Sequence, residues 1–152
     1  MRTRSTIVLA LACCTLLPVL GCEPGARDLP ELVPVSGSVT LDGEPLQKAV
    51  VTFFPKGTTL GVGGAGATDA SGRYELKTGA VEPGVPVGEY RVTCSKMTLP
   101  DGSDYDPNSE IPPIDAGAVE TLPARYSFDG ETTLAGTVPS GGATIDFELT
   151  SK

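Results

Sequence analysis

A period of two constrains this chain more than any other feature. In "VSGSVTL", Val35, Gly37, Val39 and Leu41 alternate with Ser36, Ser38 and Thr40. Successive side chains of a strand point to opposite faces, so this pattern predicts a strand with one apolar and one polar face. The pattern returns three times. Tyr90, Val92 and Cys94 alternate with Arg91, Thr93 and Ser95; Leu134, Gly136 and Val138 share a face of "TTLAGTV"; Ile145, Phe147 and Leu149 alternate with Asp146 and Glu148. "AVVTFFP" (Ala49 to Pro55) is β-branched and aromatic, which predicts a strand buried on both faces at its centre. "ATDASGRYEL" reads as a short strand, a turn at Asp69 to Gly72, and a second strand with Tyr74 and Leu76 inward. No window carries a helical stripe. With 19 Gly and 14 Pro as punctuation, about seven short strands predict an all-β sandwich.

Between the strands lie three kinds of connection. "DGEP" (Asp42 to Pro45) is a turn cluster, and "KGTTLGVGGAG" (Lys56 to Gly66) reads as a flexible loop. Lys96 to Ala124 is acidic, rich in Pro and 29 residues long. That is too long for a neutral connector, so it is either functional or partly disordered.

The start of the chain has a different character. Arg2 and Arg4 precede an uncharged run of 14 residues, Ile7 to Leu20, which is apolar apart from Thr15. The run is short of the roughly 20 residues of a membrane span and fits a secretory h-region. It ends in Val19-Leu20-Gly21-Cys22, with an aliphatic residue three positions before the cysteine and a small one just before it. The segment resembles the signal peptide of a bacterial lipoprotein (residues 1–21). The resemblance implies a diacylglyceryl thioether on Cys22, cleavage before it and acylation of the new amino terminus. Two or three acyl chains anchor stably where one holds only marginally. The alternatives are an ordinary signal peptide cut elsewhere, which leaves Cys22 a free thiol, and a retained helix. Glu23 to Pro34 is polar and Pro-rich, so residues 22–34 read as the lipidated cysteine and its tether.

Composition narrows the function. Without Arg2 and Arg4 the chain holds 9 basic against 19 acidic residues, a formal charge of −10. Such a surface disfavours nucleic acid and anionic headgroups. With Cys22 acylated and Cys13 and Cys14 removed, Cys94 has no partner for a disulfide, so the core must supply the stability. The chain has no His, which removes the commonest general base and transition-metal ligand.

Three stretches in order carry a family likeness: "VSGSVTLDGEPLQKAVVTFFP", "ATDASGRYEL" and "PVGEYRVTCS". The first contains the run Gly37, Val39, Gly43, Pro45, Ala49 and Val51; the second contains Thr68, Asp69, Gly72 and Tyr74; the third contains Pro86, Gly88 and Tyr90. Together they resemble a carboxypeptidase regulatory-like domain, spanning residues 35–150. The tail "LPARYSFDGETTLAGTVPSGGATIDFEL" is similar to one that recurs in small bacterial lipoproteins carrying this domain. The resemblance implies a Greek-key β-sandwich of prealbumin-like (transthyretin) type, used mostly as an accessory module without catalysis. Such a fold says little about activity.

Each candidate constellation has a structural and a functional reading. Asp69 and Gly72 fit turn chemistry, with the carboxylate capping backbone N–H groups and Gly supplying positive φ. Gly61, Gly63 and Gly66 spell G-x-G-x-x-G, but a strand rather than a helix follows, so the run is read as a loop and not a dinucleotide site. Cys94 falls on an inward face, where a thiol is inert. Asp104, Asp106, Asn108 and Glu110 stand at every second position after Asp101, a spacing that could wrap oxygens round Ca²⁺. Against that, Ser109 stands where an EF-hand needs Gly, Asp115 replaces the bidentate Glu, and Pro112-Pro113 stiffens the loop. The other reading is a solvated acidic loop. Arg125-Tyr126 either presents a cation and an aromatic to a ligand or pins the long loop to the sandwich.

The expected function is therefore non-catalytic binding by a lipid-anchored module of the cell envelope, on the periplasmic or outer face of a membrane. Its partner would be an envelope protein or a glycan. One alternative is a Ca²⁺- or small-ligand-binding module using the 96–124 loop. Another is a hydrolase working through paired carboxylates, which would need two acids in one cleft with split pKa values.

Overall fold

The computed structural model describes residues 30–79 and 81–152. The signal peptide, Cys22 and most of the tether lie outside the described residues. The strands are β1 (Leu32–Val33), β2 (Val35–Leu41), β3 (Glu44–Pro45), β4 (Val50–Pro55), β5 (Gly64–Ala67), β6 (Arg73–Glu75), β7 (Lys77–Thr78) and β8 (Glu82–Pro83). They continue with β9 (Val85–Pro86), β10 (Gly88–Ser95), β11 (Met97–Thr98), β12 (Val119–Glu120), the single-turn helix α1 (Ala124–Ser127), β13 (Leu134–Val138), β14 (Ala143–Thr144) and β15 (Phe147–Leu149).

The protein is an all-β sandwich. One sheet runs in the order β13-β10-β4-β5-β7-β8. The other is built on β2, which pairs antiparallel with β3 and β6 and parallel with β14 and β15. The inward residues are those the alternation marks: Val35, Val39, Val51, Phe53, Tyr74, Leu76, Tyr90, Val92, Cys94, Val138, Phe147 and Leu149 are buried in one core. Its aromatic centre joins the two layers. Phe53 lies 5.5 Å from Tyr90 and 6.3 Å from Phe147, and Phe147 stacks on Tyr74 at 6.4 Å. Tyr90 donates its phenolic hydrogen to Pro86 O at 2.6 Å and Tyr74 to Ile145 O at 2.7 Å, so neither buried hydroxyl is left without a partner.

Besides β4, which buries one face rather than both (Val51 and Phe53 are buried while Val50, Thr52 and Phe54 are partly exposed), two features differ from the sequence reading. First, the glycine-rich stretch is not loop throughout. Gly64 to Ala67 form β5, paired on one side with β4 and on the other with β7. The run lacks side chains because there is no room for them. A Cβ on Gly66 would overlap the carbonyl oxygen of Glu75, and one on Gly64 would fall 2.5 Å from Val85 Cγ1. Glycine here serves close approach of two backbones, and it erases the alternation by which strands are recognised. Second, the last residues of the tether belong to the domain. Leu32 pairs with Pro86 and Val33 with Val85, and Val33 is buried.

A bulky residue should therefore be rejected at Gly66. Gly66→Val is expected to cost about 2–4 kcal/mol, read as a lower urea midpoint, while Ala67→Val, at an exposed position of the same strand, stays within about 0.5 kcal/mol. Equal midpoints for the two variants would contradict the packing described.

Candidate functional site

The turn after β5 is built by two adjacent residues. Thr68 is buried; its hydroxyl donates to Leu46 O at 2.6 Å and accepts from Ala49 N at 2.9 Å, tying the β3–β4 connection to β5. Asp69 accepts through Oδ1 from Ser71 N at 2.8 Å, Ser71 Oγ at 2.7 Å and Arg73 N at 3.0 Å. Gly72 closes the turn at φ 75°. The Ser71 hydroxyl, then the backbone N–H groups of Arg73 and Ser71, hold the Asp69 carboxyl below its ordinary value.

The 96–124 segment is a folded excursion. β11 pairs with β12 at its base, and Glu120 serves as a clasp there: its carboxylate accepts from Ser95 Oγ at 2.5 Å, Lys96 N at 3.1 Å and Leu122 N at 2.8 Å. Tyr105 is buried beneath the loop and donates to Ile111 O at 2.7 Å. Lys96 Nζ reaches Asp104 at 3.1 Å and Gln47 O at 3.2 Å, which ties the loop to the β3–β4 connection.

The acids proposed as calcium ligands do not converge. Among the described residues, no group of three or more carboxylate, thiol or imidazole side chains is placed to hold a metal ion. Asp101 turns back on Ser103, accepting from its N at 2.9 Å and its Oγ at 2.6 Å, and these bonds lower its pKa. Asp104 faces Lys96, and Asp106 accepts from Asn108 N at 2.9 Å. Glu110 is exposed. Asp101 and Asp106 each close a tight turn while Asp104 is drawn to Lys96, so the oxygens point apart rather than round one centre.

Cys94 is fully buried, and burial, with Glu120 nearby, pushes its thiol up to about 12. Tyr126 is buried beside the C-terminal strand, its hydroxyl 3.3 Å from Thr150 Oγ1. Arg125 lies 4.7 Å over the Tyr126 ring and donates to Thr150 O at 2.8 Å and Lys152 O at 2.5 Å. This pair fastens the segment after the long loop to residues 150–152, the pinning role that was one of its two readings from the sequence.

One site was not read from the sequence. A groove of about 1110 Å³ runs over the outward faces of β2, β5 and β6. Its lining includes the small residues Ser36, Ser38, Gly66 and Ala67 and the charged residues Asp69, Arg73, Glu75, Lys77 and Asp146. Pro107 and Asn108 of the long loop also line it. Asp146 is held in place by Ser38 N at 2.7 Å and Ser38 Oγ at 2.8 Å. The only sequence signal is that the outward residues of β2 are small and polar. The groove offers mixed hydrogen-bond donors and acceptors and suits a polar ligand.

No protein-family model matches the chain, and a comparison with curated proteins returns no match. Among solved structures, it is similar to the crystal structure of a 9R-lipoxygenase from Cyanothece PCC8801, at 16% identity and a TM-score of 0.35. The match covers 78% of this chain and 16% of that one. A likeness of that size carries no argument about activity.

Two expectations follow. Cys94 should resist a disulfide reagent at pH 8 in the folded protein and react within seconds to minutes in denaturant; rapid labelling of the folded protein would contradict its burial. Asp69 contributes stability that is complete above its ordinary value of 3.8 and is lost as pH falls through its lower folded value. In urea titrations, wild type should therefore lose stability relative to Asp69→Asn below about pH 4. A difference between the two that stays constant down to about pH 2 would contradict the turn's electrostatics.

Proposed function

We propose that this chain is a lipid-anchored module of the cell envelope that acts by non-catalytic binding. The observation that carries this reading is the run Val19-Leu20-Gly21-Cys22 behind the uncharged Ile7 to Leu20. A thiol is the common side chain nucleophilic enough to become a stable thioether on a lipid donor, and the small Gly21 admits a peptidase. The family likeness to carboxypeptidase regulatory-like domains of prealbumin type agrees with it. Thr68, Asp69, Pro86 and Tyr90, which carry the likeness, hold turns and strand ends together through hydrogen bonds to backbone. That is the behaviour of framework residues. The carboxylates favour the same reading, because Asp69, Asp101 and Glu120 are committed as acceptors of local N–H and O–H groups.

A second reading is favoured by the groove beside Pro107 and Asn108: the module holds a polar ligand such as a glycan between the long loop and the outward face of β2. The two readings are compatible, since an anchored binding module needs a surface to bind with.

Mass spectrometry of the membrane fraction should find a mature amino terminus at an acylated Cys22, and Cys22→Ala should move the protein out of that fraction. An unmodified cysteine, or a mature chain beginning elsewhere, would sink the anchor.

A further inference from the structure

Apart from Phe128, which lies beside the middle of β10, the large exposed apolar side chains among the described residues fall at the two ends of the sandwich. β10 pairs Tyr90 with Pro55 and Ser95 with Val50, and it pairs Gly88 with Val138. The Gly88 end therefore gathers the Lys56–Gly63 loop, the residues after Val138, and β8 and β9. β1 joins β9 there, so Pro30 and Glu31 emerge at the same end. The Ser95 end, about 24 Å away at the rise of an extended strand, carries the long acidic loop.

Leu60 is 68% exposed, Val62 77%, Val81 79% and Val87 44%, and all four sit at the Gly88 end. They stand on a rigid base. Thr59 Oγ1 donates to Glu89 O at 3.0 Å and accepts from Glu89 N at 2.9 Å, which fixes the loop to β10. Thr78 Oγ1 donates to Gly84 O at 2.7 Å and Gly63 O at 3.1 Å, which locks the Val81 hairpin to the same loop. Between Leu60 and Val62, Gly61 has φ 91° and packs on the chain's point of emergence: a Cβ there would lie 2.9 Å from Pro86 Cγ and 3.4 Å from Pro30 Cγ. Leu60 and Val62 are thus the chain neighbours of the glycine that packs on Pro30, and both side chains are exposed.

We propose that this end is a membrane-docking face, with Leu60, Val62, Val81 and Val87 resting in the headgroup region of the bilayer that holds Cys22. The inference rests on the lipid-anchor reading. Its occupant follows from where the chain leaves the domain and how much of it remains. Eight residues, Cys22 to Leu29, separate the anchor from Pro30. Fully extended they span at most about 29 Å, so the face that carries Pro30 is kept within reach of the headgroups. Charge points the same way. The segments gathered at this end, residues 30–34, 56–63, 79, 81–87 and 139–142 with the adjoining Glu89, hold four charged residues, Glu31, Lys56, Glu82 and Glu89. Asp101, Asp104, Asp106, Glu110, Asp115 and Glu120 belong to the far end, and an anionic surface repels that end. Apolar contact at one end and repulsion at the other set a single orientation, long loop outward.

The test uses the mature lipidated protein in vesicles of phosphatidylethanolamine and phosphatidylglycerol containing headgroup spin-labelled lipid. A fluorophore is placed on Leu60→Cys, Val62→Cys or, at the far end, Ile114→Cys; native Cys94 is buried. Acylation of Cys22 is confirmed on the same sample. Quenching at 60 and 62 should exceed that at 114 by at least about threefold. The pair Leu60→Asp and Val62→Asp, both at exposed positions, should lower quenching of a Val81→Cys label to the level seen at 114. Acylated protein with equal quenching at both ends, or with Val81→Cys unaffected by the aspartates, would overturn the docking face alone. A blue shift at 60 and 62 without quenching would mean that protein, such as a second copy of this chain, covers the face, and would also overturn it. Protein without acyl chains would overturn the docking face together with the anchor.

Discussion

The register between β4 and β10 is the constraint on which most of this molecule depends. Val51 faces Cys94 and Phe53 faces Val92 across six consecutive pairs. A slip of one residue would turn every one of these side chains to the outer surface. The same register determines what lies at each end of the sandwich. It places the end of β4, and with it the Lys56–Gly63 loop, beside Gly88, and it delivers the chain to the opposite end at Ser95, where the acidic excursion begins. Helix α1 then packs against β10, and Thr132 donates to Val92 O at 2.5 Å, so the C-terminal part is also docked on this strand.

The legible part of the fold was the part with side chains on a period of two. Residues 35–41 read as one strand and are one, and the inward residues of β10, β13 and β15 are those the alternation marks. What could not be read shares a physical cause. β5 is made of glycine and alanine because β7 and the Glu75 backbone press against it, so the strand carries no alternation to find. β1 and β9 are two residues long and include Pro86, too short for any periodicity and containing a residue that argues against a strand. The groove was hidden for another reason. Ser36, Ser38 and Asp146 look like the ordinary solvated faces of strands, and only the folded chain brings them opposite Asn108.

The acidic loop shows how spacing misleads when backbone is free to turn. Asp101, Asp104, Asp106, Asn108 and Glu110 have the period of a cation loop, yet metal binding needs the oxygens to converge. Here Asp101 and Asp106 each accept from an N–H two residues ahead, which closes successive turns and leaves the carboxylates dispersed. Glu120, unremarked in the sequence, does more for the loop than these do. It lies at the loop's base and satisfies three backbone N–H groups, Lys96, Thr121 and Leu122, in addition to the Ser95 hydroxyl.

If Cys22 carries the proposed anchor, the sandwich has a near end and a far end, and its asymmetry runs along that axis. Polar and charged groups that could engage a partner collect along the groove and the long loop, toward the Ser95 end. The near end holds few charges and four exposed aliphatic side chains. Exposing aliphatic groups on a hydrogen-bonded base has a cost in water with no return for packing, since none of them joins the core. The return comes if that face is not in water. Under the proposed anchor, a bilayer within reach of eight residues would supply the missing solvent, and docking on it would turn the long loop away from the membrane. The two ends are then complementary parts of one arrangement, the near end setting the orientation that the far end uses.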